Sequence, residues 1–131
     1  MEYILDTHAF IWYAAGDKQL STKARNLIDN LNNENQIFLS IVSIWEISIK
    51  LSIGKLEFKK PLKEVLDEQI ELNNYQILDI KMEHTEKIID LPFHHRDPFD
   101  RLLIGQSIIE KMPIISIDEN FEKYQELSVV W

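Results

Sequence analysis

Short apolar runs that each lead into a helical pattern are the feature that most restricts the fold of this chain. Tyr3–Leu5, Ile37–Ser40, Tyr75–Ile80, Pro113–Ile117 and Leu127–Val130 read as buried strands. Helical patterns lie between them. One spans residues 8–14 and stops at Gly16. A second is capped by Ser21 and runs to about Leu31, with Ala24, Leu27, Ile28 and Leu31 on one face. A third runs from Ser43 to Gly54. A fourth opens at Pro61, carries Leu62, Val65, Leu66 and Ile70, and breaks at Asn73–Asn74. The rest cover Glu83–Leu91, Asp100–Glu110 (Leu103, Ile104, Ser107 and Ile108 inward) and Glu119–Tyr124. Strands alternating with helices predict a parallel sheet covered on both faces. In such sheets the ligand site lies beyond the carboxyl ends of the strands, where strand order reverses.

The chain has 131 residues, 45% of them apolar, which suits a single domain over 1–131 with a real core. No run approaches the roughly 18 uncharged apolar residues of a membrane span. MEYILDTHAF has no basic stretch ahead of its apolar residues, so it does not read as a secretory signal, and a cytoplasmic location is expected. The absence of cysteine excludes disulfides, thiolate metal sites and cysteine nucleophiles. The net charge of −8 runs against general phosphate binding, which needs Lys and Arg. Lys50, Lys55, Lys59, Lys60 and Lys63 do cluster, a pattern that reads first as a solvated face.

Four acids stand where an apolar segment meets a helix start: Asp6 in YILDTHAFIW, Glu46 in SIVSIWEISIK, Asp100 in HHRDPFDRLLIGQ and Asp118 in IISIDENF. Each has a structural explanation. Ser43-x-x-Glu46 matches a capping box. Asp97-Pro98-Phe99-Asp100 matches an N-cap, Pro at N1 and an acid at N3. Asp6 and Asp118 suit caps of the short helices that follow. Together they also fit an acidic pocket at the ligand edge of the sheet. Gathered carboxylates repel one another unless a cation sits among them, and one or two Mg²⁺ or Mn²⁺ ions are the expected cofactor. The two roles are compatible, because a helix N-terminus keeps a carboxylate ionised. Bound metal of this kind activates water for phosphodiester hydrolysis. With only Gly16, Gly54 and Gly105, the chain holds no Gly-rich phosphate cradle. It also lacks a G-x-S-x-G elbow and H-E-x-x-H spacing.

The stretches LDTHAFIW (5–12), SIVSIWEISIK (40–50), HRDPFDRLLIGQS (95–107) and SIDENF (116–121) occur in the order found in PIN domains. Over essentially its whole length the sequence resembles a PIN domain of the VapC-like toxin type. The resemblance implies a three-layer α/β/α sandwich with a mostly parallel five-stranded sheet in order 3-2-1-4-5. It implies a metal-dependent endoribonuclease that is the toxin of a toxin–antitoxin pair, with RNA as substrate, a cognate antitoxin as partner, and a homodimer as the usual assembly. The family's acids fall on Asp6, Glu46 and Asp118. The third falls on Asp100 or Asp97; the D-x-L-I-A pattern of relatives favours Asp100 and makes Asp97 its cap.

Gly105, where relatives often carry Ala, suggests close packing of its helix on the sheet. Thr7 and Ser43 neighbour site acids, as ligands to water or as caps. Arg96 and Arg101 flank the third acid, as phosphate contacts or partners of a nearby carboxylate. Trp12 and Trp45 fall on apolar faces, where core packing is commoner than service as base-stacking platforms, and Trp131 is expected beside the last strand. Two other readings compete with a nuclease. One is a non-catalytic binding module on the same fold. The other is an aspartyl phosphoenzyme, which wants a D-x-D start where this chain reads Asp6-Thr7-His8.

Overall fold

A computed structural model describes all residues 1–131. The order is β1 (Glu2–Leu5), α1 (Thr7–Ala15), α2 (Thr22–Asp29), β2 (Gln36–Ser40), α3 (Ile41–Ser52), α4 (Leu62–Asn73), β3 (Gln76–Leu78), α5 (Met82–Asp90), α6 (Pro98–Glu110), β4 (Ile114–Ile115), α7 (Glu119–Glu122) and β5 (Val129–Val130). All strand pairs are parallel, and the five-stranded sheet runs β3-β2-β1-β4-β5. The expected strand order is therefore present, and the sheet is wholly parallel. β3, β4 and β5 are shorter than the apolar runs, whereas β1 and β2 each begin one residue earlier than expected.

Strand periodicity sorts the core into two. Tyr3 and Leu5 of β1 join Ala9, Phe10, Ala24 and Ile28 on the face covered by α1 and α2. Ile4 points the other way, to Leu102, Leu103 and Ile104 of α6 and to Phe121 and Tyr124. Helix α3 touches both clusters, through Ile47 in the first and Val42 in the second. β1 is central, and strand order reverses between it and β4, where Leu5 pairs with Ile115.

Local signals explain most helix limits. Gly16 ends α1 in the left-handed region at φ 66°. Ser21 caps α2 through the Ala24 amide at 3.0 Å. Asn30 then turns left-handed and ends α2 at Asp29, so Leu31 lies outside the helix and 91% exposed, not on its apolar face. Gly105 packs not on the sheet but on α5: a Cβ there would lie 2.9 Å from the His84 carbonyl oxygen.

Arg101 departs from both expectations for it. Its side chain is buried and pairs with no carboxylate. One guanidinium nitrogen, Nη1, donates to the carbonyls of Pro92 (2.9 Å) and His95 (3.4 Å) and to the Tyr124 hydroxyl (3.2 Å). Nη2 donates to the carbonyls of Leu91 (3.2 Å) and Ile88 (3.4 Å). Several of these carbonyls end α5, where no further helix turn supplies donors and the helix dipole favours a cation. The Phe93 ring covers the guanidinium at 4.3 Å. Arg101 thus pins the segment from α5 to α6, and with it His95, Asp97 and Asp100.

Two stability outcomes follow. Gly105→Val should cost more than about 2 kcal/mol, since the displaced atom is α5 backbone. Gly105→Ala should also destabilise, the clash outweighing the ~1 kcal/mol of helix propensity that Ala gains. Arg101→Leu strands buried carbonyls and should cost roughly 3 kcal/mol, with Arg101→Lys recovering little because one ammonium cannot span both rows of acceptors. Urea unfolding monitored by circular dichroism measures all four.

Candidate functional site

At the carboxyl end of β1, Asp6 caps α1, accepting from the Ala9 amide at 2.8 Å. Its other oxygen accepts from the Ser116 hydroxyl at 2.5 Å, just past β4. The Ser116 oxygen in turn accepts from the Asp118 amide at 3.0 Å, and Asp118 caps α7 through the Asn120 amide at 2.9 Å. One chain of hydrogen bonds therefore joins the two post-strand acids across the reversal point. Ser116 was not among the residues singled out from sequence. The signal available was its place between the Ile114–Ile115 run and Asp118.

Helix α3 delivers Glu46, though not through a capping box. The cap is Ser40, whose oxygen accepts from the Val42 amide at 3.0 Å and whose hydroxyl donates to Gln106 Oε1 at 2.5 Å. The helix therefore begins three residues earlier than expected. Glu46 lies in the second turn, out of reach of the cap amide, and pairs with Lys50 at 2.9 Å. Ser43 is buried in the helix and accepts from the Thr7 hydroxyl at 2.9 Å, which ties the starts of α1 and α3 together. Neither Thr7 nor Ser43 is the cap of its helix.

Asp97, Pro98 and Asp100 take the expected cap, N1 and first-turn places in α6. One Asp97 oxygen accepts from the amides of both Phe99 (2.9 Å) and Asp100 (3.0 Å). Asp100 is met by His95 Nε2 at 3.2 Å, and His95 Nδ1 lies 2.8 Å from the Tyr124 hydroxyl. Burial is the main cause that pushes the Asp100 carboxyl up to about 8, with further contributions from the charges of Asp97, Asp118, Glu46 and Asp6. Burial also raises Asp6, against the opposing hydrogen bonds from Ala9 and Ser116, and Asp118 adds to the rise. Burial lowers His95. The other four predicted acids thus all act on Asp100, beneath the larger effect of its burial.

No three His, Asp or Glu side chains are placed to hold one metal ion together. Asp6 is engaged on both oxygens, and the other four acids on one: Asp97 and Asp118 by amides, Glu46 by Lys50, Asp100 by His95. The second oxygen of each of these four has no protein partner. The donor set is all-oxygen and overcharged, the chemistry of a hard divalent cation site, and a cation would lower the cost of ionising Asp100.

Other residues near the site divide. Arg96 is exposed and forms no ion pair. Lys60 and Lys63 are paired with Glu68 (2.6 Å) and Asp67 (2.8 Å). Trp12 packs on the core and meets Trp131 edge-on at 6.0 Å. Trp45 does not join the core: it is 51% exposed and meets Phe99 edge-on at 4.9 Å.

The PIN domain family model matches residues 3–127. No curated protein matches the sequence. Among solved structures, VapBC2 from Rickettsia felis bound to a promoter DNA fragment is 18% identical with a TM-score of 0.76, over 100% of this chain and 99% of that one. DNA-bound VapBC from Salmonella typhimurium is 15% identical with a TM-score of 0.71, over 99% and 97%. FitAcB from Neisseria gonorrhoeae is 18% identical with a TM-score of 0.67, over 98% and 96%. At these identities the structural likeness is one of fold, and it agrees with the family match over almost the whole chain: the protein belongs to the PIN domain family.

Proposed function

We propose that the protein is a Mg²⁺- or Mn²⁺-dependent endoribonuclease and the toxin of a toxin–antitoxin pair. The observation that carries the reading is Asp100, a first-turn acid pushed up to about 8 by burial and by four surrounding carboxylates. Such a concentration of negative charge has a use where a cation binds. Asp6, Glu46, Asp100 and Asp118 would hold one or two ions. Asp97, with one oxygen fixed by two amides, would serve as the α6 cap and hold Asp100 in place. A bound ion of this kind polarises a water for attack on an RNA phosphodiester and offsets charge on the phosphate. The protein's own part is to keep the acids fixed: Ser116 orients Asp6, and His95 orients Asp100.

The antitoxin and homodimer belong to the same proposal. The VapBC and FitAcB structures that share this fold lend it support. A second reading, a non-catalytic binding module, is favoured by one observation: no three acids are placed for a common ion. Isothermal titration with Mn²⁺ separates the two, because only the nuclease requires binding.

Asp6→Asn and Asp118→Asn should each lower Mn²⁺-dependent RNA cleavage at least about a hundredfold with an unchanged circular dichroism spectrum. Cleavage that survives both Asp6→Asn and EDTA would overturn the nuclease assignment. Asp100→Asn should match that loss. Asp97→Asn should cost less than about tenfold, since Asn caps helices as well as Asp does.

The Asp100 shift also sets a pH dependence. Its carboxyl is raised from 3.8 to about 8, so the folded protein holds this proton more tightly than the unfolded chain does. That contribution to stability is complete below 3.8 and is lost as pH rises towards about 8. The metal-free protein should therefore melt at a lower temperature at pH 8 than at pH 5. Asp100→Asn should flatten the dependence and raise Tm at pH 8 by a few degrees, given about 1 kcal/mol for a partly solvated group. Mn²⁺ should raise the wild-type Tm at pH 8 in the same way.

A further inference from the structure

We propose that Trp45, braced by Phe99, is a stacking platform for an unpaired base of the nucleic-acid substrate. The inference rests on the nuclease reading and names how that site grips its strand.

The first observation is position. Trp45 directly precedes Glu46 on α3, and Phe99 directly precedes Asp100 on α6. Their rings meet edge-on, at 4.9 Å and 80°, so they bridge the two helices that supply these acids. The second is exposure. Trp45 is 51% exposed although α3 is apolar enough to bury it. A single T-shaped partner occupies at most one face of an indole. The third is charge. The chain carries 14 basic and 22 acidic residues. Near the acids, Lys50 is tied to Glu46 and Arg101 is buried on backbone carbonyls. Arg96, exposed and without an ion pair, offers a polyanion one contact here, and contact with a base face adds the grip that the tied cations do not supply. Every base has such a face, and a base reaches the indole only when it is unpaired. A single strand is therefore the expected substrate form.

Binding is measured with Asp6→Asn protein, which holds the strand without cutting it, in Mg²⁺ and by fluorescence anisotropy of a labelled single-stranded RNA oligonucleotide. Adding Trp45→Ala should weaken binding at least about fivefold, and Trp45→Phe should restore most of it. The loss should be absent for an abasic oligonucleotide of the same length and for a duplex. In the Trp12→Phe, Trp131→Phe background, fluorescence of the remaining Trp45 should be quenched by the base-containing strand and not by the abasic one. Cleavage by the protein with its acids intact is measured in parallel. If that protein cleaves RNA and Trp45→Ala leaves both Kd and KM unchanged, the platform is refuted while the nuclease stands. If it cleaves nothing, the nuclease reading itself has failed, and the platform falls with it. Sedimentation that shows Trp45→Ala converting a dimer to monomer, with no base-dependent quenching, would assign the ring to a second copy of the chain and overturn the proposal.

Discussion

The hydrogen bond from Ser116 to Asp6 closes the sheet edge on which the site depends. It links residues 110 positions apart in sequence at the point where strand order reverses. Parallel pairing of Leu5 with Ile115 sets the two strand ends level, so the next residue of each strand lies beside the other. Asp6 then meets three demands. It caps α1, it accepts the Ser116 hydroxyl, and it remains buried with its charge among other acids. Hydrogen bonds to an ionised carboxylate oppose the desolvation that burial imposes. Without them Asp6 would hold its proton more tightly still and be a poorer ligand for a cation.

The same arrangement recurs around the edge. Asp6, Asp97 and Asp118 each cap a helix, and Asp100 sits in the first turn of one. Capping uses one carboxylate oxygen; in Asp97 and Asp118 the other has no protein partner, whereas in Asp6 it accepts from Ser116. These positions stand at the starts of three different helices, and no three acids are placed for a common ion. Burial first, and the charges of the other four acids second, raise Asp100, whose only close side-chain partner is a histidine that burial keeps towards its neutral form.

Much of this was legible in the sequence, for physical reasons. An Asp between an apolar run and a helix has few other places to go, so the roles of Asp6, Asp97 and Asp118 as caps followed from local chemistry. The strand order came from the likeness of four motifs to a known family, since short strands do not announce their neighbours. Glu46 was placed correctly at the edge but with the wrong local role. SIVSIWEISIK contains two serines able to cap, and only packing against Gln106 selects Ser40 over Ser43. Trp45 was misjudged because two of the four buried residues of α3, Ser43 and Glu46, are polar, so the apolar pattern does not mark the buried side. Arg101 was misjudged because its partners are carbonyls, which every residue carries and no motif marks.

These misses share a cause and a consequence. Side chains whose roles depend on distant backbone or on tertiary exposure cannot be sorted by spacing, yet here they decide how the acids are presented. Arg101 ties the last turn of α5 to the segment carrying His95 and Asp97, and Gln106 ties α6 to the start of α3. Both connections are buried, where a missing partner leaves an unsatisfied polar group at a cost of about 1–3 kcal/mol. Displacement of α3 relative to α6 is therefore resisted by the Ser40–Gln106 bond, and displacement of the His95–Asp97 segment by Arg101. The acids are held in one geometry less by contacts among themselves, which repel, than by neutral and cationic groups behind them. A cluster of mutually repelling carboxylates needs such support to keep its geometry.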